Sequence, residues 1–192
     1  LTHDYNIQSV GEDHPDTATS YNNIGYIMKV KGDLDSALIN YGKAKEIFKK
    51  NFGESNSDYL MSLNNIGSTL IAKKEYRRGI EYLLKVESDG SLSEDKYGVL
   101  LSNIAIAYDK LNEYEKALNY YNKSLKADIP FLSSNHPDIA TTYSNIAGTY
   151  LKLGKRVEAK SYYFKAVNIL TKKFGPNHPN TKVVQTAIDS IQ

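Results

Sequence analysis

The chain has 192 residues, of which 41% are hydrophobic and 24% charged, so its composition is that of a folded globular protein and not of a disordered or fibrous one. Its 24 basic residues nearly balance its 22 acidic ones, which argues against a dedicated DNA- or RNA-binding protein. The absence of cysteine excludes a disulfide framework, a thiolate zinc site and a catalytic thiol, and no run of about 18 apolar residues predicts a membrane span. We therefore expect a cytoplasmic protein that acts on neither nucleic acid nor membranes.

A short motif built around asparagine and isoleucine recurs four times along the chain. Successive copies are separated by 42, 38 and 42 residues, which is too regular for unrelated segments and indicates a repeat architecture. The four copies are Tyr21-Asn22-Asn23-Ile24-Gly25, Leu63-Asn64-Asn65-Ile66-Gly67, Leu101-Ser102-Asn103-Ile104-Ala105 and Tyr143-Ser144-Asn145-Ile146-Ala147.

Each copy of the motif predicts a first helix, helix A, and a second pattern about 12 residues later predicts a second helix, helix B. In helix B a small residue is followed by a large one and then by another small one, as in Ala37, Tyr41 and Ala44. Small residues let the two helix backbones approach closely, while the large side chain fills the adjoining space. Each repeat is therefore predicted to be a pair of helices joined by a tight turn.

Pairs of amphipathic helices bury their apolar faces only by stacking on neighbouring pairs, so the whole chain is predicted to form one array. In chain order, the array over 1–192 is predicted to comprise the end of a preceding repeat at 1–13, repeats at 14–53, 54–91, 92–132 and 133–175, and the first helix of a further or capping repeat at 176–192.

The connectors between repeats carry residues that begin and end helices. His-Pro pairs precede three of the A helices, and proline keeps the residue before it out of the helical conformation. Asp16, Asp138 and Asn180 follow these pairs and are predicted N-caps, while Gly53 and Gly175 suit a left-handed C-cap. The longer connector at 128–135 carries three apolar residues, which we expect either to pack under the array or to contact a partner: Ile129, Phe131 and Leu132.

The small-large-small spacing of the helix pairs resembles that of tetratricopeptide repeats. The longer period and the His-Pro connectors make the chain similar to the extended repeat of kinesin light chains, over essentially the whole sequence. This resemblance implies an all-α, right-handed superhelical solenoid of antiparallel helix pairs. It also implies a concave groove, lined by the A helices, that binds a peptide or a partner protein.

Transferred by position within the repeat, the resemblance implies a set of groove residues on the A helices. Asparagine offers both a donor and an acceptor, so the recurrent asparagines are candidates to hold a peptide backbone. The alternative for Asn23, Asn65, Asn103 and Asn145 is a hydrogen bond to the next A helix. The predicted peptide-binding residues are Asn22, Asn23, Tyr26, Lys29, Asn64, Asn65, Ser68, Ser102, Asn103, Ile106, Lys110, Ser144, Asn145 and Lys152.

No pattern in the sequence predicts catalysis, a metal site or a cofactor. His14, His136 and His178 lie in separate connectors without further metal ligands nearby, so they are interpreted as part of the helix boundaries. The 16 tyrosines recur mainly at helix-packing positions and are interpreted as core and not as a surface for stacking RNA bases. The leading function is a protein-interaction scaffold. The alternative is a regulatory or sensor region that engages the catalytic domain of its own larger enzyme or ATPase.

Two further expectations concern partners. Lys29, Lys110 and Lys152 give the predicted groove a mildly positive character, so an acidic or carboxylate-bearing peptide is the hypothesised ligand. Self-association through exposed terminal repeats is a second expectation. It depends on the apolar residues of the last helix lying open to solvent, namely Val183, Val184, Ala187 and Ile188.

Overall fold

The computed structural model describes residues 11–90 and 92–191, and within those ranges all regular secondary structure is α-helical. The chain divides into two compact units, Leu1–Ser93 and Glu94–Gln192. Described helices of the first unit are α1 (Pro15–Val30), α2 (Leu34–Phe52), α3 (Ser57–Ala72) and α4 (Tyr76–Asp89). Those of the second unit are α5 (Glu94–Lys110), α6 (Tyr114–Asp128), α7 (Pro137–Lys152), α8 (Arg156–Phe174) and α9 (Pro179–Asp189).

In the first unit each helix packs against the next, and small residues set the closest approaches. An added Cβ on Gly25 would lie 2.8 Å from the ring of Tyr41, which is itself 1% exposed. An added Cβ on Gly79 would lie 2.9 Å from the carbonyl oxygen of Gly67. The predicted alternation of small and large residues is confirmed here, because glycine at these positions lets α1 meet α2 and α3 meet α4.

The second unit follows the same plan with alanine at most of the close approaches. Ala105 and Ala117 are fully buried between α5 and α6, and Tyr121 fills the space beside them. Buried tyrosines also occur at Tyr41 and Tyr59 in the first unit, so the interpretation of these tyrosines as core residues is confirmed. Each unit is an all-α stack of helix pairs, as the resemblance implied.

Every turn from an A helix to a B helix contains one residue with positive φ at the same position in the repeat. Gly32 and Gly154 have φ of 84° and 73°, a region that glycine occupies without steric cost. Lys74 and Asn112 occupy the equivalent positions with φ of 67° and 61°. Asparagine tolerates this conformation because its short polar side chain can hydrogen-bond locally, whereas lysine has no such side chain to offset the strain.

The helix N-caps differ from the prediction. His14, His136 and His178 are the N-cap residues, and Nδ1 of each accepts the backbone N–H two residues later, at 3.2 to 3.3 Å. Asp16, Asp138 and Asn180 therefore lie inside the first turn, after the proline, and their assignment as N-caps was wrong. Sequence reasoning gave precedence to Asp and Asn as caps, but an imidazole nitrogen satisfies an orphan N–H equally well.

The C-terminal ends of α2 and α8 close on glycine with positive φ, as predicted, although the helical left-handed conformation is not adopted. Gly53 has φ 82° and ψ −179°, and Gly175 has φ 86° and ψ 165°. Extended ψ at positive φ is a region essentially reserved for glycine. The chain therefore leaves each helix in an extended direction toward the next N-cap.

Part of the long connector packs against the array, as one of the two expectations had it, and contact of the rest with a partner stays a prediction. Leu132 packs against the core of the second unit, while Ile129 and Phe131 are 48% and 53% exposed. In the last helix the prediction of open apolar residues was wrong for two of them, because Val184 and Ile188 are buried against the rest of the second unit. Val183 alone of this set is strongly exposed, at 69%.

Candidate functional site

In the first unit hydrogen bonds join the A helices α1 and α3 through predicted groove residues. Asn22 Nδ2 donates to Ser62 Oγ at 3.1 Å, and Lys29 Nζ donates to Ser68 Oγ at 2.7 Å. Predicted groove side chains of α1 therefore contact α3 and do not face solvent alone. These contacts give Asn22, Lys29 and Ser68 a structural role between adjacent repeats.

The recurrent asparagines behave differently from Asn22. Within residues 11–90 and 92–191, no side-chain amide among Asn23, Asn65, Asn103 and Asn145 forms a hydrogen bond to another residue. Asn23 is exposed and the other three are half-buried. The alternative in which these asparagines bond to the next A helix is therefore not what the structure contains, and their contact with a ligand stays a prediction.

Two other predicted residues of the first unit have distinct surroundings. Tyr26 is 64% exposed on the outer face of α1. Asn64 Oδ1, in contrast, is buried with no hydrogen-bond donor found for it in the described part of the chain. An acceptor in this state has lost its hydration without compensation, so it lowers the stability of the first unit.

In the second unit the link between A helices is ionic. Asp109 of α5 is 8% exposed and accepts a hydrogen bond from Thr149 Oγ1 of α7 at 2.9 Å. Its other carboxylate oxygen pairs with Lys152 Nζ. The charge of Lys152 is thereby neutralised within the chain. Lys110 lies at the exposed end of α5.

A pocket of about 360 Å³ opens between α5, α7 and the long connector, and it contains four of the predicted residues. Ser102, Asn103 and Ile106 come from α5, and Asn145 comes from α7. The remaining lining residues are Val99, Asp128, Leu132, Asp138, Thr141 and Thr142.

A second pocket of about 310 Å³ continues along the same surface between α7 and α9. Thr141 and Asn145 line both pockets, and the predicted residue Ser144 lines the second. Val183 supplies an exposed apolar wall from α9. The A helices of the second unit therefore bring their predicted residues together along one continuous surface, whereas Lys110 and Lys152 line neither pocket.

Sequence reasoning missed several pocket residues that the helical period identifies. Val99 and Thr141 precede Asn103 and Asn145 by one helical turn and so lie on the same face. Asp128 and Leu132 reach the pocket from the end of α6 and the connector. Extending the motif by one turn toward each N-terminus would have found the first pair, but no repeat signal marks the second.

The two units differ in the charge that they place near these surfaces. In the first, burial lowers the pKa of Lys29, because the ammonium group loses hydration between α1 and α3. In the second, burial raises the pKa of the Asp128 carboxyl, and the hydrogen bond from Ser124 lowers it by less. Asp138 has a still smaller raising effect and His136 the smallest, a lowering one. Lys29 is thus a partly desolvated cation and Asp128 a partly desolvated acid.

Within the residues described, there is no group of three or more His, Asp or Glu that could hold a metal ion. None of the helices described is long and apolar enough to cross a membrane. What the surface offers is unpaired amides, hydroxyls and apolar side chains, which are the groups that hold an extended peptide.

Comparison with known proteins places the sequence among repeat proteins. It matches the tetratricopeptide repeat family over residues 16–89, 58–129 and 139–180, while no curated protein matches it. Among solved structures, a Podosopora anserina protein described as a kinesin light chain with nearly identical TPR-like repeats superposes with a TM-score of 0.78, at 18% identity over 91% of this chain and 84% of that one.

Two further solved structures give nearly the same superposition. BtubC (BKLC) from P. vanneervenii has a TM-score of 0.77, at 17% identity over 91% of this chain and 71% of that one. The apo form of RapI also has a TM-score of 0.77, at 19% identity over 97% of this chain and 72% of that one. At these identities the similarity establishes a shared fold.

Proposed function

This chain belongs to the tetratricopeptide repeat family, and from that premise we propose that it is a non-catalytic cytoplasmic scaffold that binds an extended segment of a partner protein along its A-helix surface. Arrays of this kind commonly present long surfaces for protein partners. The proposal places such a segment against the pockets between α5, α7 and α9 of the second unit. The A helices of the first unit are a separate candidate surface.

The observation that carries the proposal is the set of unpaired asparagine amides. Asn103 and Asn145 line a pocket, yet their amides form no hydrogen bond to the described remainder of the chain. Each amide offers a donor and an acceptor side by side, which matches the alternating N–H and C=O groups of an extended peptide. Bonds to the backbone hold a segment whatever its side chains, and the pocket walls then select among sequences.

Apolar side chains beside the amides supply the remaining affinity. Val99 is 56% exposed at the first pocket and Val183 is 69% exposed at the second. Burying apolar surface contributes about 25 cal/mol per Å², so covering both side chains strengthens binding measurably. A segment whose side chains place apolar groups over both valines fits this surface best.

For the first unit we propose that a segment bound there carries a carboxylate. Lys29 Nζ donates to the neutral Ser68 Oγ, and no carboxylate pairs with it in the part of the chain that the structure describes. A partly desolvated ammonium group gains more from a counter-ion than a fully hydrated one does. The acidic-ligand hypothesis therefore concerns Lys29, since Lys152 is already paired with Asp109.

The scaffold proposal is tested by recovery of partners from an extract of the source cells. The wild-type protein is compared with Asn103→Ala/Asn145→Ala and with the matched variant Asn119→Ala/Asn168→Ala, which changes exposed asparagines on the B helices α6 and α8. A partner that binds the wild type and the matched variant but not the groove variant supports the proposal. Equal recovery by all three folded proteins contradicts it.

The carboxylate proposal needs only defined peptides. Fluorescent hexaglutamate and hexaglutamine are titrated by anisotropy at low salt against wild type, Lys29→Met and the neighbouring surface variant Lys31→Met. We expect hexaglutamate affinity to fall roughly three- to tenfold in Lys29→Met and to change little in Lys31→Met. An equal loss in both lysine variants would show that only overall charge matters.

A further inference from the structure

The pocket between α5 and α7 has one acidic end and no basic side chain in its lining. Val99, Ile106 and Leu132 form apolar walls. The carboxylates of Asp128 and Asp138 belong to the same lining, and no lysine or arginine does. A ligand side chain with an apolar stem and a cationic head would match both parts of this lining.

Asp128 is fixed in place and is not a freely moving surface acid. Its carboxylate lies against Gly98, where any larger residue would place Cβ on top of Oδ1. Ser124 Oγ lies 3.2 Å from Oδ2 and also donates to the carbonyl oxygen of Gly98 at 3.0 Å. The carboxylate is therefore held half-buried at the pocket with one oxygen engaged by Ser124.

We propose that this pocket receives a lysine or arginine side chain of the bound segment, with its methylene groups along Val99 and Ile106 and its cationic head at Asp128 and Asp138. The inference rests on the proposed function, because it names the chemistry of one position of that segment. Long basic side chains bury their methylene groups on apolar surface and keep the charge at a polar end. Arginine can engage a carboxylate through two parallel hydrogen bonds.

The unpaired amides next to the acids are a second observation that points to a ligand. Asn103 and Asn145 flank the pocket and can hold the backbone on either side of the inserted residue. An acidic side chain at this position would meet like charges, and a purely apolar one would desolvate Asp128 without supplying a counter-ion. The pocket therefore discriminates by charge, while the amides hold any sequence.

His136 of this chain competes with the cationic head of the ligand for Asp128 and Asp138. His136 Nδ1 lies 3.5 Å from Asp138 Oδ2, and His136 also acts on Asp128. Burial raises the pKa of Asp128, so this carboxyl accepts a proton earlier as the pH falls. Binding of a cationic side chain therefore weakens on acidification. Ser124, which contacts Asp128, does not titrate.

Four blocked pentapeptides, acetyl-Ala-Ala-X-Ala-Ala-amide with X as lysine, arginine, norleucine or glutamate, test the inference. Binding is followed by the NMR signals of the Asn103 and Asn145 side-chain amides at neutral pH and low salt, up to about 5 mM peptide. We expect lysine and arginine to bind roughly tenfold more tightly than norleucine, and glutamate to bind most weakly.

The variants separate this inference from the proposed function. Asp138→Asn should reduce the preference for lysine over norleucine to about threefold or less, while Glu115→Gln, an equal charge change on the exposed face of α6, should leave it unchanged. Equal binding of lysine and norleucine peptides by the wild type overturns the charge assignment and leaves the scaffold proposal standing. Failure of every peptide to shift the asparagine signals contradicts both.

Discussion

The carboxylate of Asp128, at the end of α6, lies beside Gly98 of α5. It occupies the space into which any residue other than glycine at position 98 would place its Cβ. Ser124 engages both sides of this contact, through the Gly98 carbonyl oxygen at 3.0 Å and the Asp128 carboxylate at 3.2 Å. Glycine at 98 is therefore what allows the polar end of α6 to close on α5.

Gly98→Ala is expected to destabilise the protein by about 1 kcal/mol, because Asp128 must leave and its bond with Ser124 is lost. An alanine in a helix without such a neighbour is instead stabilising, by roughly 0.5–1 kcal/mol. Gly42→Ala in α2, where an added Cβ meets nothing within 4 Å, is the matched control. Urea unfolding measures both. Equal stabilisation by the two substitutions would contradict the contact with Asp128.

The turn after α3 contains a residue whose backbone conformation is costly. Lys74 has φ 67°, where the equivalent turns use glycine at Gly32 and Gly154. We expect Lys74→Gly to raise the free energy of unfolding by roughly 1 kcal/mol, and Gly154→Lys to lower it by a similar amount. Thermal and urea unfolding test the pair. A loss of stability in Lys74→Gly would show that unfolded-chain entropy outweighs the strain.

Asn22 and Asn64 occupy the same position in successive repeats, yet of the two only Asn22 has a hydrogen-bond partner in the part of the chain that the structure describes. Asn22→Leu removes the bond to the buried Ser62 and is expected to cost about 1 kcal/mol. Asn64→Leu removes a buried acceptor without a donor in the described structure, so we expect stability to rise by up to about 1 kcal/mol. Chemical denaturation measures the free energy of unfolding of both variants against wild type. A comparable loss in both would mean that Asn64 has a partner in solution.

Glu54 links α2 to α4 by accepting from Lys49 at 2.6 Å and from Lys85 at 2.9 Å. Hydrogen bonds from these lysines hold its pKa at about 2, below the ordinary 4.5. A lowered carboxyl pKa means that the contribution to stability is present above pH 4.5 and is lost as the pH falls through about 2. The melting temperature of Glu54→Gln should therefore lie below that of wild type at neutral pH.

The same two proteins, compared across the acid range, provide the check on this assignment. The gap between their melting temperatures should close as the pH approaches 2 and should narrow in high salt at neutral pH, since all three side chains are about half-exposed. A gap that persists unchanged in strong acid would mean that glutamine disturbs the packing and not the charge.

The helix pairs could be predicted from sequence because the signals for them are local. The Asn-Ile motif and the small-large-small spacing lie within single helices, and both recur at a fixed period.

A periodic lysine in the B helices was not recognised in the sequence. Lysines at one position of every B helix lie over tyrosine rings at 4.4 to 5.7 Å, namely Lys43, Lys85, Lys123 and Lys165.

The pairing of groove residues could not be predicted, because it depends on distances between repeats. Lys152 had the appearance of a free groove cation, but its partner Asp109 lies 43 residues earlier, on the neighbouring A helix. The histidine caps were missed for a related reason. Which of the two polar residues that flank the proline caps the helix depends on the φ that proline imposes at the helix start.

The polar links between A helices also bear on how such a chain can change during evolution. Lys29 and Asp109 occupy the same position in their repeats but carry opposite charges. Lys29 donates to Ser68, whereas Asp109 accepts from Thr149 and pairs with Lys152. If recombination replaced the helix that carries Ser68 by the one that carries Lys152, two lysines would meet at that junction. The A helices are therefore not equivalent at these links, and a duplication that copies both halves of a link together keeps that link intact.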